Sequence, residues 1–316
     1  MLNDKRKFLY GFIFGFIALI AWGSLPIALK LSTGFTDPIT FTWLRFLVAF
    51  LVVFCWQLLQ GKLSEFRQLA LKEWLVLAIA GSFLIINYTF FAWSVNYLHP
   101  GTAQLTFQLA PFFLAIGGVV FLKERIHLIQ WLCFLSLAAG ILIFFHPTLT
   151  TTAGTYTTWL GIAIVQISAI AWSIYALLQK SLFSKLSPTN ILLAIYGFAA
   201  ITMLPFSSPA DTLSWDTLSI YVAIFCCFNT LVAYGAFAKA MGYWQTVQVS
   251  AIIALTPIAS FSLAELFSSL GIWPDVIESA NMTMLSLVGL IIVIISAVSV
   301  QCVTAMLQKR QLKKNE

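Results

Sequence analysis

The sequence predicts an all-α integral membrane protein whose ten transmembrane helices form two inverted five-helix repeats. Three observations predict this fold class: a composition too apolar for a water-exposed surface, ten long apolar runs, and an internal echo between the two halves. Of the 316 residues, 60% are hydrophobic and 9% are charged, against roughly 25% charged in ordinary soluble domains. The chain is therefore expected to place most of its surface in lipid.

Ten apolar runs are long enough to cross a hydrocarbon core of about 30 Å, which takes about 20 helical residues. We number them spans 1 to 10 in chain order. They lie at 8–29, 39–59, 74–95, 103–122, 128–145, 159–178, 190–206, 216–238, 246–268 and 283–306. The connections between them are short, so no separate soluble domain is expected.

The basic residues predict which side of the membrane each connection occupies. If the N-terminus is cytoplasmic, fifteen of the seventeen Lys and Arg residues fall on the inner side, and the outer loops carry Asp37, Asp211, Asp216, Asp275 and Glu278. This bias follows the positive-inside rule and predicts a multi-pass protein of the cytoplasmic (inner) membrane with both termini cytoplasmic. The net charge of +6 is then topological, and no nucleic-acid partner is expected.

The second half of the chain echoes the first. Shifted by 150 or by 146 residues, the sequence matches itself in colinear blocks that include Trp22 with Trp172, Lys30 with Lys180, Pro38 with Pro188, and Pro111 with Pro257. The echo predicts a first repeat over 1–150 (spans 1 to 5) and a second over 151–316 (spans 6 to 10), which ends in a short basic tail. Five spans is an odd number, so the second repeat enters the membrane upside down, as in many secondary transporters that bind substrate between repeats.

Two prolines interrupt equivalent spans of the two repeats. Pro111 in span 4 and Pro257 in span 9 cannot donate to the carbonyls of Phe107 and Ile253. In hydrocarbon each freed carbonyl needs another donor. The pairing predicts bends that open a polar cavity and serve as flexing points, with simple packing kinks as the alternative.

Polar, charged and aromatic side chains inside the spans are the candidate cavity residues. Substrate contacts are predicted for Trp22, Asn87, Tyr88, Gln104, Gln108, Trp172, Tyr175, Tyr234 and Glu265. Charged or gating roles are predicted for Lys30, Arg45, Pro111 and Pro257. Gln104 and Gln108 share one helical face because they are four residues apart. Ordinary helix packing is the alternative for the polar and aromatic members.

Arg45 and Glu265 are singled out because charged groups at depth usually face a wet interior or a partner. Glu265 is predicted to accept a proton, to bind a substrate amine, or to pair with Lys30 or Arg45. A purely structural ion pair is the alternative for Glu265. For Arg45 the alternative is that its long side chain reaches back to the outer surface.

These residues also carry a resemblance to a known family. The chain resembles the EamA-type branch of the drug/metabolite transporter superfamily at Ala21 to Ser24, at Leu44 to Leu47, and above all over 97–126. In that last stretch Glu124 follows Pro111 by thirteen residues at the end of the span. The resemblance implies ten helices in two inverted repeats that export amino acids, other metabolites or drugs.

The second half departs from the family pattern. Leu270 stands thirteen residues after Pro257, and the glutamate comes earlier, as Glu265. The resemblance therefore does not imply that the second repeat uses its acid as the first does.

The predicted function is a secondary carrier that moves a small organic metabolite, an amino acid or a similar or drug-like compound, by alternating access. Export is favoured over import. Two alternatives stay open: a membrane receptor or assembly protein without transport activity, and an exchanger of nucleotide-linked substrates. Uniport, proton coupling and substrate exchange all fit the sequence.

Enzyme activity is not expected. The three histidines, His99, His127 and His146, all lie at span ends, and the spans hold no nucleophile–base or metal-ligand constellation. We expect no cofactor and no metal. The expected partners are the lipid bilayer and a small-molecule substrate, and the chain is expected to be a monomer or a homodimer.

Overall fold

The computed structural model describes residues 4–98, 103–104, 106–124, 126–152, 156–273 and 283–314. Within these ranges the chain is helical and contains no strand. Its α-helices are α1 (Asp4–Ser32), α2 (Pro38–Leu59), α3 (Leu71–Ser94), α4 (Ala110–Leu122), α5 (Leu128–Thr152), α6 (Tyr156–Ser181), α7 (Pro188–Met203), α8 (Thr217–Tyr243), α9 (Thr246–Ile253), α10 (Thr256–Ser269) and α11 (Met284–Lys314). Short 3₁₀ helices cover Lys62–Gln68, Phe107–Leu109, Leu204–Phe206 and Pro209–Ser214.

The helices have the length and composition of membrane spans. Among the described residues, seven stretches are long and apolar enough to cross a bilayer: Lys5–Ser32, Pro38–Leu59, Leu71–Ser94, Trp159–Ser181, Pro188–Phe206, Thr217–Tyr243 and Thr246–Ser269. Three shorter apolar helices coincide with the remaining predicted spans 4, 5 and 10. They cover Phe107–Leu122, Leu128–Phe144 and Met284–Val300. The all-helical prediction is confirmed, and the count of ten spans stays a prediction.

Aspartates cap two helices at one end of the bundle. The carboxylate of Asp37 accepts hydrogen bonds from the main-chain N–H of Ile39 (2.8 Å) and of Thr40 (3.0 Å) at the start of α2. Asp216 accepts from the N–H of Ser219 (2.9 Å) at the start of α8, and its hydrogen bonds with Ser219 lower the pKa of the Asp216 carboxyl. These bonds satisfy donors that the first turn of a helix leaves free.

The opposite end of the bundle, where Glu124 and Lys180 lie, is called the Glu124 end below. There the loop after α2 reaches across to the start of α7. Glu65 accepts a hydrogen bond from the main-chain N–H of Ser187 (2.8 Å). Partial burial acts to raise the pKa of the Glu65 carboxyl, but hydrogen bonds from Ser187 and Asn190 and the charge of Lys62 outweigh it and leave the pKa lowered.

Helix packing repeats itself when the two halves are exchanged. Helix α1 packs along α8 as α6 packs along α3, and α1 packs on α10 as α6 packs on α4. Helix α2 packs on its counterpart α7, and α5 packs on its counterpart α11. Pro38 and Pro188, which the sequence echo pairs, each occupy the first turn of their helices, α2 and α7.

Glycines at equivalent positions of the two halves allow close contacts with neighbouring segments. A Cβ on Gly11 of α1 would lie 2.2 Å from the indole nitrogen of Trp244, and a Cβ on Gly161 of α6 would lie 2.6 Å from Leu98. Gly161 stands 150 residues after Gly11, and Trp244 stands 146 residues after Leu98. Small residues let helices approach closely in membranes, and Gly11 and Gly161 allow this approach at equivalent positions of the two halves.

Helices α5 and α11 touch backbone to backbone. A Cβ on Gly289 would lie 2.3 Å from the main-chain nitrogen of Phe144 and 2.8 Å from the carbonyl oxygen of Gly140. A hydrogen bond of 2.9 Å between the hydroxyls of Ser296 and Ser136 also joins the two helices. This pair has no room for a side chain at Gly289.

Gly289→Val should force α5 and α11 apart, because the clash is with main-chain atoms that cannot rotate away. Overpacking of this kind destabilises by about 1–3 kcal/mol or more. The melting temperature of the purified protein in detergent should fall. Gly235→Val is the matched control, since a Cβ on Gly235 meets nothing within 4 Å. Equal losses for the two variants would contradict the packing described here.

Candidate functional site

A cavity lies between the two halves of the chain. Nine of the thirteen residues predicted from the sequence line it: Trp22, Arg45, Asn87, Tyr88, Gln104, Gln108, Pro111, Trp172 and Tyr234. The sequence reasoning did not assign Leu25, Pro26, Leu29, Phe91, Phe107, Ile253 and Thr256, which complete the lining. Most of these are apolar residues in apolar helices, and such residues carry no signal in the sequence that distinguishes a cavity wall from a lipid face.

The cavity is narrow in this conformation. About 60 Å³ is available to the centres of water molecules. One water needs about 10–15 Å³ on this measure, so a few waters fit. A metabolite larger than that requires the surrounding side chains or helices to move apart.

Aromatic rings form one wall of the cavity. The ring of Trp22 from the first half meets Trp172 from the second half edge to face, with centroids 5.7 Å apart. Trp22 also meets Tyr234 at 5.1 Å and Phe237 at 5.2 Å. Edge-to-face contacts of this kind hold rings in fixed orientations. The wall is therefore built of rings in fixed orientations and is shared by both halves.

Asn87 is fully engaged with its neighbours. Its amide N–H group donates to the hydroxyl of Ser168 (2.9 Å), and its amide oxygen accepts from the hydroxyl of Tyr234 (3.1 Å). The Ser168 hydroxyl donates back to the main-chain oxygen of Asn87 (2.9 Å). This network ties α3 to α6 and α8, so Asn87 positions the wall of the cavity.

The two predicted glutamines lie together, as their spacing requires. The side-chain amide of Gln108 donates to the main-chain oxygen of Gln104 (3.0 Å). The amide oxygen of Gln108 is buried and has no hydrogen-bond partner. A buried acceptor without a donor costs free energy, and this one lies on a residue that lines the cavity.

Arg45 is almost fully buried, with 2% of its surface exposed. Its Nε donates to the hydroxyl of Thr230 (2.9 Å), and its guanidinium carbon lies 4.5 Å from the centre of the Tyr88 ring. Its Nη2 has no hydrogen-bond partner. The alternative in which Arg45 reaches the membrane surface is wrong, because the side chain turns into the bundle toward α8.

Pro111 marks a change of helix type. Residues Phe107–Leu109 form a 3₁₀ turn, and α4 begins at Ala110 with Pro111 in its first turn. Side chains of α6 satisfy carbonyls around this break. The hydroxyl of Ser173 donates to the Ala110 carbonyl (3.0 Å), and the amide of Gln166 donates to the Thr106 carbonyl (2.8 Å).

Pro257 marks the equivalent break in the second half. The predicted span 9 is two helices, because α9 ends at Ile253 and α10 begins at Thr256. The hydroxyl of Thr256 donates to the Ile253 carbonyl (2.6 Å), which is the acceptor that a residue 257 with an N–H would have served. Thr256 thus replaces the missing donor, and both Ile253 and Thr256 line the cavity.

Four predicted residues lie outside the cavity lining. Tyr175 is buried behind the aromatic wall, 5.9 Å from Tyr234, and its hydroxyl bonds to Gln179. Lys30 lies in the last turn of α1, and Glu265 and Pro257 lie in α10. No ion pair joins Glu265 to Lys30 or to Arg45, although all three are described.

The Glu124 end is closed by contacts that the sequence reasoning did not foresee. Glu124 pairs with Lys180 of α6 (2.8 Å) and accepts from the main-chain N–H (3.0 Å) and hydroxyl (2.5 Å) of Thr246 at the start of α9. Lys180 also donates to the carbonyl of Trp244 (2.9 Å). The residue after Glu124, Arg125, lies outside the described residues.

Within the described ranges, no group of three His, Cys, Asp or Glu side chains is arranged to hold a metal ion. The cavity lining itself contains no aspartate or glutamate among those residues.

Comparisons with known proteins place this architecture in a family. Residues 9–146 and 159–302 match the model of the EamA-like transporter family. An uncharacterized inner membrane transporter of Escherichia coli K12, YhbE, is 33% identical over 296 residues, which cover 93% of this chain and 91% of that protein. An uncharacterized transporter of Haemophilus influenzae is 30% identical over 93% of this chain and 95% of its own length.

Two further similarities are more distant. A probable amino-acid metabolite efflux pump of Escherichia coli K12 is 23% identical over 80% of this chain and 85% of its own length. A crystal structure of a protein without a stated activity matches with a TM-score of 0.70 and 18% identity, over 93% of this chain and 97% of that chain. At that identity the match shows a shared fold alone.

Thr256→Val should destabilise the protein by about 1–3 kcal/mol, because the buried Ile253 carbonyl loses its donor. In a Pro257→Ala background the loss should be smaller, since residue 257 regains an N–H. Unfolding in mixed micelles measures both. Thr202→Val is the control, because the Thr202 hydroxyl bonds to a carbonyl, that of Phe198 (2.8 Å), within an uninterrupted helix. Equal losses in the two backgrounds would show that Thr256 does not stand in for the missing donor.

Proposed function

The chain belongs to the EamA-like transporter family, and from this premise we propose that it is a secondary carrier that works by alternating access. It moves a small organic metabolite across the cytoplasmic membrane, with export favoured. The observation that carries the proposal is the cavity between the two halves, which both halves line with aromatic and polar side chains. The similarity to a probable amino-acid metabolite efflux pump supports an amino acid or a related compound as substrate.

We propose that the carrier consists of ten spans in two inverted repeats, 1–150 and 151–316. The exchange symmetry of helix packing supports this division, since the most extensive contacts between helices have counterparts when the halves are swapped. In such a carrier the two repeats rock against each other around a site near the midplane. The breaks at Pro111 and Pro257 border the cavity and are the proposed flexing points.

The Glu124 end is proposed to face the cytoplasm. Lys62, Arg67 and Lys72 lie at this end, between α2 and the first turn of α3, whereas Asp37 and Asp216 cap helices at the other end. This distribution follows the positive-inside rule. The predicted outer residues Asp275 and Glu278 lie outside the described residues.

The conformation described here is proposed to be closed toward the cytoplasm. At the Glu124 end, Gly11 packs against Trp244, and Glu124 joins Lys180 and Thr246 across the halves. The cavity instead extends along α1 through Leu25, Pro26 and Leu29 toward the opposite end. Substrate would then leave or enter on the outer side in this state.

The two ends of the carrier are not equivalent in charge. Lys30 corresponds to Lys180, but Leu270 occupies the position that corresponds to Glu124. The inner ion pair therefore has no counterpart at the equivalent outer positions. We propose that this asymmetry biases the resting carrier toward the state closed to the cytoplasm.

The driving force and oligomeric state remain part of the proposal. Uniport, proton coupling and substrate exchange are each compatible with the described cavity, and so are a monomer and a homodimer. Glu265 is the predicted proton or amine acceptor. Because it does not line the cavity in this conformation, that role requires a second conformation in which the cavity extends along α10 as far as Glu265.

Reconstitution into liposomes tests the carrier function. Purified protein should give saturable flux of at least one compound in a panel of labelled amino acids and related metabolites. Trp22→Ala should lower that flux at least about tenfold, since it removes a partly buried ring that packs against Trp172 and Tyr234 in the cavity wall, and a tenfold change needs only about 1.4 kcal/mol.

The control for this experiment is Trp56→Ala, because Trp56 is 58% exposed on the lipid-facing surface of α2. Its flux should match that of the unaltered protein. Absence of flux for the whole panel, from protein that remains folded, would contradict the carrier function.

Glu124→Gln should loosen the closed inner end, because it removes a charge-assisted interaction worth about 1.5–3 kcal/mol. Ile253→Cys, in a background without the five natural cysteines, places a reporter thiol in the cavity wall. A membrane-impermeant maleimide added to inside-out vesicles should label this thiol roughly tenfold faster once Glu124 is replaced.

The control replaces an acid at the other end, Asp216→Asn, and should leave the labelling rate from the cytoplasmic side unchanged. Equal labelling with and without Glu124 would remove the ion pair from the gating mechanism. Faster labelling from the outer side alone would show that the proposed orientation is inverted.

A further inference from the structure

Among the described residues, the buried guanidinium of Arg45 has no counter-charge. No carboxylate in this part of the chain lies within 4 Å of it, whereas Glu124 and Lys180 pair with each other. A charged group at this depth in a membrane normally pairs with an opposite charge or faces a hydrated pathway. Arg45 lines the cavity, so the cavity is the place from which a counter-charge would arrive.

The protein satisfies only part of the Arg45 side chain. Thr230 accepts one N–H, and the Tyr88 ring lies under the guanidinium at 4.5 Å, which partly offsets the charge. The Nη2 group is left without a partner. An arginine has five N–H donors in a planar fork that suits a carboxylate, and here a part of that fork is unused.

Two more polar atoms of the cavity lining are buried without a hydrogen-bond partner. The hydroxyl of Tyr88, beside Arg45, has no partner of hydrogen-bonding geometry, and neither has the amide oxygen of Gln108. The Tyr88 hydroxyl can donate to an oxygen of the same carboxylate. The Gln108 oxygen can accept from an N–H or O–H group elsewhere on a ligand.

We propose that Arg45 and the Tyr88 hydroxyl form an anion subsite and that the transported metabolite is a carboxylate with a flat aromatic or apolar body. The inference rests on the proposed carrier function and names its substrate class. The body of the ligand would lie against the rings of Trp22 and Trp172, which meet at the cavity. The carboxylate would supply the charge that Arg45 lacks.

The same arrangement selects against cations. No aspartate or glutamate occurs among the described residues that line the cavity, so a ligand whose only charge is an ammonium finds no acid there and is repelled by Arg45. In a site of low dielectric this repulsion is strong. A neutral ligand leaves Arg45 without a counter-charge and gains nothing from it.

A matched series of ligands tests the inference on the unaltered protein. Phenylacetate, phenylacetamide and 2-phenylethylamine carry the same ring on a carboxylate, a neutral amide and an ammonium. Isothermal titration calorimetry of the purified protein should show phenylacetate binding at least about tenfold more tightly than the other two, as expected for a charge-assisted hydrogen bond. Equal binding of the three, or preference for the amine, overturns the inference.

Variants locate the effect at Arg45. Arg45→Met replaces the buried charge with an apolar chain of similar length, a change that proteins often tolerate, and should abolish the preference for phenylacetate. Lys239→Met is the control, because Lys239 lies over the Phe14 ring (4.9 Å) outside the cavity lining and should leave the preference intact. If Arg45→Met fails to fold, Arg45→Lys should keep part of the preference, and the ligand series remains decisive by itself.

Flux measurements separate this inference from the carrier function. If the protein transports amines or neutral compounds and does not bind phenylacetate, the carrier function stands and the anion subsite is wrong. If phenylacetate binds through Arg45 and no compound of the panel crosses the liposome membrane, the subsite stands and the carrier function is wrong.

Discussion

A main-chain N–H or C=O group inside the bilayer has no water to bond to, so it needs a hydrogen-bond partner from the protein. The rest of this structure depends on how two broken helices obtain these partners. An interrupted helix in lipid persists only where protein groups satisfy the released carbonyls. Beside Pro111, Ser173 donates to the Ala110 carbonyl and Gln166 donates to the Thr106 carbonyl. Thr256 donates to the Ile253 carbonyl that Pro257 leaves free. These bonds come from side chains inside the bundle, so the polar breaks, and the cavity beside them, lie between the two halves.

Buried charges are treated in two different ways. Glu124 and Lys180 form an ion pair with each other. Glu124 also accepts from the main-chain N–H of Thr246, and Lys180 donates to the carbonyl of Trp244, so both charges are compensated within the protein. Arg45 is held by a hydroxyl and an aromatic face, which fix its position, and no carboxylate among the described residues pairs with it. A closed end and a receptive centre thus differ in whether the protein itself supplies the opposite charge.

Much of the fold could be predicted from the sequence because helices exposed to lipid must be apolar along their length, and this shows directly in the composition. Apolar runs located the helices, and paired prolines located the two breaks. The cavity lining was harder, since it depends on how each helix is rotated. Tyr175 sits behind the aromatic wall and Glu265 lies away from the cavity, although both had the residue type and depth expected of a site. The contacts of Glu124 with Lys180 and Thr246 were not predicted, because both partners belong to the other half of the chain and no local sequence pattern indicates them.

The contact between the Trp22 and Trp172 rings provides a spectroscopic signal of conformational change. Each half of the chain contributes one indole, and the two rings stand at 79° to each other. Electronic transitions of rings this close couple, and the sign and strength of the coupling depend on their mutual angle and spacing. Any movement of one half against the other therefore alters the near-ultraviolet dichroism of the pair, which makes the native chain its own optical gauge of conformation.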